Sequence, residues 1–176
     1  MLKPLVVASS LIIVSGCDNN LTAQQAEHVV KSSQLSAFEQ YPYQANTLLN
    51  NIRARKDPAS LEEESAELVT LSQALIKELV VKYPQCTAYL DALSEVATVI
   101  ASLPLAEIES GYHSDGKLPK FDDPVCYHAK DLLVHSVTVQ ASTRLGLADQ
   151  HAYQNAELDI IEVIAHFEQV ARALNN

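Results

Sequence analysis

Apolar residues recur along this chain at spacings of three and four, the period of a helix that buries one face. Between residues 57 and 84 this stripe consists of Leu68, Leu71, Leu75 and Leu79. Proline is favourable at the first position of a helix, and the run of glutamates at residues 62–64 suits its early turns. We therefore predict a helix that begins at Pro58, directly after Asp57, and ends near Tyr83-Pro84.

The same spacing predicts two further buried faces. The helix after residue 84 and the last helix of the chain each carry five apolar residues at spacings of four, three, four and three. In the first they are Cys86, Leu90, Leu93, Ala97 and Ile100, before Pro104. In the second they are Ile160, Ile164, Phe167, Ala171 and Leu174, in a helix that begins near Ala148-Asp149.

Two more segments complete the helical pattern. A first helical region covers residues 22–56, and we expect it to break at Tyr41-Pro42, because proline lacks an N–H donor and disfavours helix before it. Another helix begins at Asp123-Pro124 and ends near Gly146, a favourable C-terminal residue. Residues 110–123 form the long loop. The pattern predicts an all-α domain over residues 23–176, a four- or five-helix bundle with one long crossover loop.

The N-terminal segment has a different pattern. Lys3 precedes an apolar run over residues 5–14, which stops at Gly16-Cys17 and the polar residues 18–20. A membrane-spanning helix needs about 20 apolar residues, so this run is too short to cross a bilayer. A short basic start, an apolar run and small residues are typical of a cleaved signal peptide, here residues 1–16.

The end of this signal carries a recognisable motif. Val14-Ser15-Gly16-Cys17 resembles the lipobox of bacterial lipoproteins, an aliphatic residue and two small residues before a cysteine. The resemblance implies a lipid on Cys17, cleavage before it, and a lipidated tether over residues 17–22; several acyl chains anchor a protein stably. Asp18 resembles the signal that retains lipoproteins of enterobacterial type in the inner membrane, which implies an inner-membrane anchor facing the periplasm. An ordinary signal peptide with a coincidental cysteine is the alternative.

Net charge limits the partners. Residues 1–16 hold one Lys and no acidic residue, so without them the formal net charge is −11 instead of −10. An acidic domain without a basic cluster argues against nucleic-acid binding and against adhesion to anionic lipids. It is compatible with a basic partner or a cation, although acidity for solubility alone is the simpler explanation.

The chain has three cysteines, and lipidation of Cys17 leaves Cys86 and Cys126. Thiols in exported domains usually pair, so we expect a disulfide. Both residues lie near the starts of consecutive helices, which would be at opposite ends if the helices were antiparallel neighbours. A disulfide therefore requires the 110–123 loop to run back along the bundle. Two buried free thiols are the alternative.

Histidines provide the candidate chemistry. His128, Asp131 and His135 lie along one line of the predicted 124–146 helix, and seven residues span about 10.5 Å, too far for both histidines to bind one ion. Asp131 and His135 can share a divalent transition metal, with His113, Asp115 or Glu109 from the neighbouring segment as a further ligand. Alternatively, Asp131 only orients His135 by a hydrogen bond. His28 and His166 are interpreted as surface or boundary residues.

The sequence shows no catalytic constellation, so we expect a non-enzymatic protein. The leading hypothesis is a membrane-anchored periplasmic domain that binds another envelope protein, since a tether raises the local concentration near a membrane partner. The second hypothesis is a periplasmic metal-binding or metal-sensing protein that uses Asp131, His135 and loop residues around His113. No cofactor other than a divalent transition metal is expected.

Overall fold

A computed structural model describes residues 35–104, 107 and 122–176 of the chain. The described residues form five α-helices and no strand, which confirms the all-α bundle. The helices are α1 (Ala37–Arg53), α2 (Pro58–Lys82), α3 (Thr87–Ile100), α4 (Pro124–Arg144) and α5 (Gln150–Asn175). The predicted signal peptide, Cys17, Asp18, the tether, and residues 110–121 of the predicted crossover loop lie outside the described residues.

Capping side chains set the helix starts where the sequence predicts them. Asp57, Asp123 and Asp149 each accept a hydrogen bond from a backbone N–H in the first turn of the following helix. Proline occupies the first position of both α2 and α4. Gly146 follows α4 with φ of 82°, a conformation that glycine adopts without strain.

The predicted break at Tyr41-Pro42 is wrong, because α1 continues through Pro42 to Arg53. Its start is fixed upstream by a capping box in which Ser36 and Glu39 each bond the other's backbone N–H. Pro42 has no backbone N–H, so the helix lacks one hydrogen bond to a carbonyl in its first turns. Tertiary burial outweighs that loss, since Tyr41 and Ala45 on either side of the proline are fully buried.

Four of the helices form a closed ring in which adjacent helices are antiparallel to each other. In order round the ring they are α1, α2, α4 and α5, and α5 packs back on α1. Residue pairs give the directions: Ser72 and Ser65 of α2 contact Ser136 and Thr143 of α4, so the two helices run in opposite directions. Helix α3 lies outside the ring against α4 and α2. Helix α4 therefore packs against three helices.

The disulfide between Cys86 and Cys126 is confirmed, with Cα atoms 5.3 Å apart. It joins the start of α3 to the start of α4. At the other end, the Arg144 guanidinium donates to the Ala101 and Leu103 carbonyls at 3.0 and 3.1 Å. Helices α3 and α4 are therefore parallel neighbours, and the chain between them connects opposite ends of the pair, as the long crossover requires.

The buried faces match the sequence pattern except in α5. The α2 stripe is buried, and so are the α3 residues Cys86, Leu90, Leu93 and Ala97; the Ile100 side chain lies outside the described set. In α5 only Ile160 of the predicted face is fully buried, and the other predicted residues are half-buried. The observed face is rotated by about one residue and consists of Ala156, Ile160, Val163, Val170 and Ala173. The prediction failed because α5 contacts both α4 and α1, which widens and shifts its apolar face.

A small polar network lies in the core where α1, α2 and α4 meet. The Tyr41 hydroxyl lies 3.2 Å from Ser72 Oγ and 3.5 Å from Ser136 Oγ, and both serines also bond backbone carbonyls of their own helices. Burial is the main influence on the Tyr41 hydroxyl and raises its pKa. Since buried polar groups are costly unless paired, this network fixes the relative positions of three helices.

Among the described helices, none has both the length and the apolar content that crossing a bilayer requires.

Reduction of the Cys86–Cys126 bond should destabilise the domain. The bond closes a loop with a sequence separation of 40, and releasing it should lower the free energy of unfolding by about 3–4 kcal/mol. Urea unfolding of the oxidised and the reduced, alkylated chain would measure the difference. Equal unfolding midpoints for the two forms would contradict a stabilising role of the disulfide.

Candidate metal centre

Histidines and carboxylates line the contact between α4 and α5. His128 of α4 faces His166 of α5, with their Nδ1 atoms 3.0 Å apart, and His135 of α4 faces Asp159 of α5, with Nδ1 3.0 Å from Oδ1. The partners in the two pairs are seven residues apart on each helix, which is the register of an antiparallel helix pair. We call this row of side chains, with Asp131 and Glu162 between the pairs, the α4–α5 seam.

Asp131 is the most buried carboxylate of the seam, because α4 is covered by helices on three sides. Its Oδ1 atom lies 2.6 Å from the Lys130 ammonium, and these two side chains are only 6% and 8% exposed. The Lys130 ammonium also lies 4.7 Å above the centre of the Tyr127 ring, a cation–π contact. The other oxygen, Oδ2, faces His166 Nε2 at 3.6 Å. Asp131 therefore has one oxygen paired with lysine and one directed to the histidines.

His135 is held between two carboxylates of α5. Its Nδ1 lies 3.0 Å from Asp159 and its Nε2 lies 3.0 Å from Glu162. Burial by itself lowers the pKa of His135, but the hydrogen bond and charge of Asp159, with the charges of Glu162 and Asp131, outweigh it and raise the pKa. With two acceptors, the ring binds a second proton readily and then donates from both nitrogens.

His166 has the opposite environment. Desolvation is the largest influence and lowers its pKa; Asp131 opposes this, while the neighbouring His135 and His128 add to it. Its ring stacks nearly parallel to His135, with centroids 5.8 Å apart, and tilts against His128 at 5.3 Å. The surroundings of His166 therefore favour its neutral form more than those of His135 do, and a neutral imidazole is the form that binds a metal.

Two groups of three residues in the described part of the chain bring their ligand atoms within 4.8 Å of one another. The inner group is Asp131, His135 and His166; the outer group is His135, Asp159 and Glu162. Ligand atoms around a tetrahedral zinc lie about 3.4 Å apart, given bond lengths near 2.0–2.2 Å. Side-chain movements of about 1 Å would therefore bring either group into a binding geometry.

The structure brings together some of the residues that the sequence singled out. Asp131 and His135 belong to the inner group, as their spacing of four residues suggested. His128 contacts His166 but belongs to neither group of three. The alternative that Asp131 orients His135 is not what the contacts show, because Asp159 and Glu162 bond its nitrogens. His113, Asp115 and Glu109 lie outside the described residues.

Sequence reasoning missed the contribution of α5. Asp159, Glu162 and His166 follow one another at spacings of three and four, which places all three on one side of a helix. The interpretation of His166 as a surface or boundary residue agrees with its side-chain exposure of 16%, but it misses the membership of His166 in the inner group. The spacing was a usable signal, but these three residues lie on a different side of the last helix from its expected apolar face.

No family model, no curated protein and no solved structure matches this chain.

Replacing Asp159 by asparagine should destabilise the domain most at low pH. The raised pKa of His135 means that its proton stabilises the fold fully below the unfolded pKa, about 6.5, and that this contribution is lost as pH rises through the folded pKa. The loss should be about 1 kcal/mol near pH 5.5 and smaller near pH 9. Urea unfolding at both pH values would measure it.

The control is Asp91→Asn, which removes an exposed carboxylate from α3. Its effect should be small at both pH values. A loss in the Asp159 variant that grows with pH would contradict the assignment of a protonated His135 held by that carboxylate.

Proposed function

We propose that this chain is a lipid-anchored envelope protein whose helical domain binds one divalent transition-metal ion at Asp131, His135 and His166. One observation carries the proposal: the ligand atoms of these three side chains, which come from two different helices, converge within 4.8 Å in the α4–α5 seam. Two imidazoles and one carboxylate form a ligand set that suits zinc, copper, nickel or iron better than magnesium or calcium.

The rigidity of the two helices supports the proposal. Asp131 and His135 are separated by one helical turn of α4, and His166 is held opposite them by the packing of α5 against α4. The apolar residues Leu132, Val163 and Val170 around the seam are fully buried or nearly so. A site built on such elements loses little conformational entropy when an ion binds, since its ligands are already positioned.

The charges of the seam also favour a cation. Asp131, Asp159 and Glu162 contribute three negative charges, and Lys130 contributes one positive charge. His135 adds a second positive charge only while it is protonated. Binding of a divalent ion would displace that proton and still leave the cluster close to neutral, which limits the electrostatic cost of a partly buried ion.

Lys130 acts as a positioning residue in this arrangement. Its ammonium bonds Oδ1 of Asp131 at 2.6 Å, which leaves Oδ2 directed at His166. Groups that hold the ligating residues from behind fix the orientation of the binding atom. The lysine charge opposes a cation nearby, so it also favours ions that bind imidazole strongly over those that bind through charge alone.

Metal titration of the full chain, oxidised, in mild detergent and without an affinity histidine tag, tests this function. One zinc ion per chain should bind the native protein, and His166→Ala should weaken binding by more than about 100-fold, beyond the effect of losing an outer contact. His151→Ala removes an exposed histidine from the first turn of the same helix and should bind like the native chain. A native chain that binds no zinc, copper, nickel or iron would contradict the proposal.

The anchor rests on the resemblance of residues 14–17 to a lipobox. Labelled palmitate should enter the native chain in bacterial cells, and Cys17→Ser should abolish the label and release the protein from the membrane fraction, because two or more acyl chains supply the stable attachment. A palmitate label that persists in the Cys17→Ser chain, or that never enters the native chain, would contradict lipidation at Cys17. Retention in the inner membrane through Asp18 and binding to an envelope partner stay predictions from the sequence.

A further inference from the structure

Exposure changes systematically across the α4–α5 seam. In the inner group the Asp131 and His166 side chains are 6% and 16% exposed, whereas Glu162 of the outer group is 56% exposed. His135 belongs to both groups and is 23% exposed. Asp159 of the outer group is 22% exposed, so an ion that approaches from solvent meets the Glu162 carboxylate first and reaches Asp131 and His166 last.

We propose that His135, Asp159 and Glu162 form an outer cation position, where an incoming divalent metal ion binds before it moves to the inner site. The inference rests on the proposed function, because it concerns the route to the same site. The outer position offers two carboxylates and one imidazole, and the inner one offers one carboxylate and two imidazoles. The outer set suits harder, more weakly held ions, so an ion bound there exchanges readily.

The shared histidine makes the transfer feasible. The ion keeps its bond to His135 while the carboxylates of Asp159 and Glu162 are replaced by Asp131 and His166. It therefore never loses all its protein ligands in the partly buried seam.

The hydrogen bonds of His135 argue against a purely orienting role for both α5 carboxylates. An imidazole that binds a metal through one nitrogen keeps only one N–H, so it can donate to only one carboxylate. In the described structure both nitrogens of His135 have a carboxylate at 3.0 Å. Once an ion occupies one nitrogen, the carboxylate at that nitrogen loses its donor and becomes free to bind the ion, and the other carboxylate is also near, because the ligand atoms of the outer group all lie within 4.8 Å of one another.

Rapid mixing with Co²⁺, followed by visible absorbance, tests the outer position on the full chain. Glu162→Gln should slow association about fivefold, since loss of a charge at the approach weakens electrostatic capture, while the loss of equilibrium affinity should be smaller than the loss of rate, because Glu162 is not a ligand of the inner site. Glu168→Gln removes one charge from an exposed position of the same helix and should leave the rate unchanged. Equal association rates in the two variants would overturn the outer position.

Equilibrium binding gives a second readout. His166→Ala should retain weak Co²⁺ binding with the low absorbance of an oxygen-rich complex, and the His166→Ala, Glu162→Gln double variant should lose it. Identical residual Co²⁺ binding in the single and the double variant would overturn the proposal. A Glu162→Gln chain that differs from the native chain only in faster dissociation of Co²⁺ would overturn it too. If the native chain binds no Co²⁺ and also no zinc, copper, nickel or iron, the proposed function fails together with the inference. If the native chain binds Co²⁺ but Glu162→Gln associates at the native rate, the outer position is wrong while the proposed function still stands.

Discussion

Helix α4 packs against three other helices, so nearly every polar side chain on it needs a partner inside the protein. Buried polar groups without partners are expensive, and in the described residues no buried side-chain nitrogen or oxygen lacks one. On the α2 side the partners are hydroxyls, as in the Ser72–Ser136 contact. On the α5 side they are histidines and carboxylates. The seam is therefore a consequence of where α4 lies in the fold.

The contact between α4 and α5 contains more charged and imidazole side chains than stable packing requires. The Lys130–Asp131 pair is almost fully buried, and replacing such a pair by apolar residues often leaves stability unchanged or improved. Stability alone therefore gives little reason to place a lysine, three carboxylates and three histidines along one helix contact. Departures from an apolar core are most common at functional sites, which is why the metal-binding proposal gives the simplest reason for this composition.

Local signals in the sequence predicted most of the fold. Aspartate before proline set the starts of α2 and α4, and the leucine spacing set the buried face of α2, because these features act within a single helix. Pro42 and the face of α5 were predicted wrongly, since both depend on tertiary packing: Tyr41 is buried by other helices, and α5 has two neighbours. The disulfide was predictable from the count of cysteines, and its geometry set α3 parallel to α4.

The candidate site was predictable only in part for the same reason. Asp131 and His135 are one helical turn apart, so their proximity could be expected from α4 alone. Their partners His166, Asp159 and Glu162 come from α5, and the pairing of α4 with α5 is a tertiary property that periodicity does not specify. The pattern within α4 therefore gives no reason to choose ligands from α5 over loop residues such as His113.

X-ray absorption at the zinc edge of the zinc-loaded chain tests the central claim most directly, since it reports which atoms contact the ion. Binding at the inner site predicts two imidazole nitrogens and carboxylate oxygen at about 2.0–2.2 Å, with one imidazole lost in His166→Ala. A spectrum with oxygen ligands only, or one unchanged by His166→Ala, would contradict a metal site between α4 and α5.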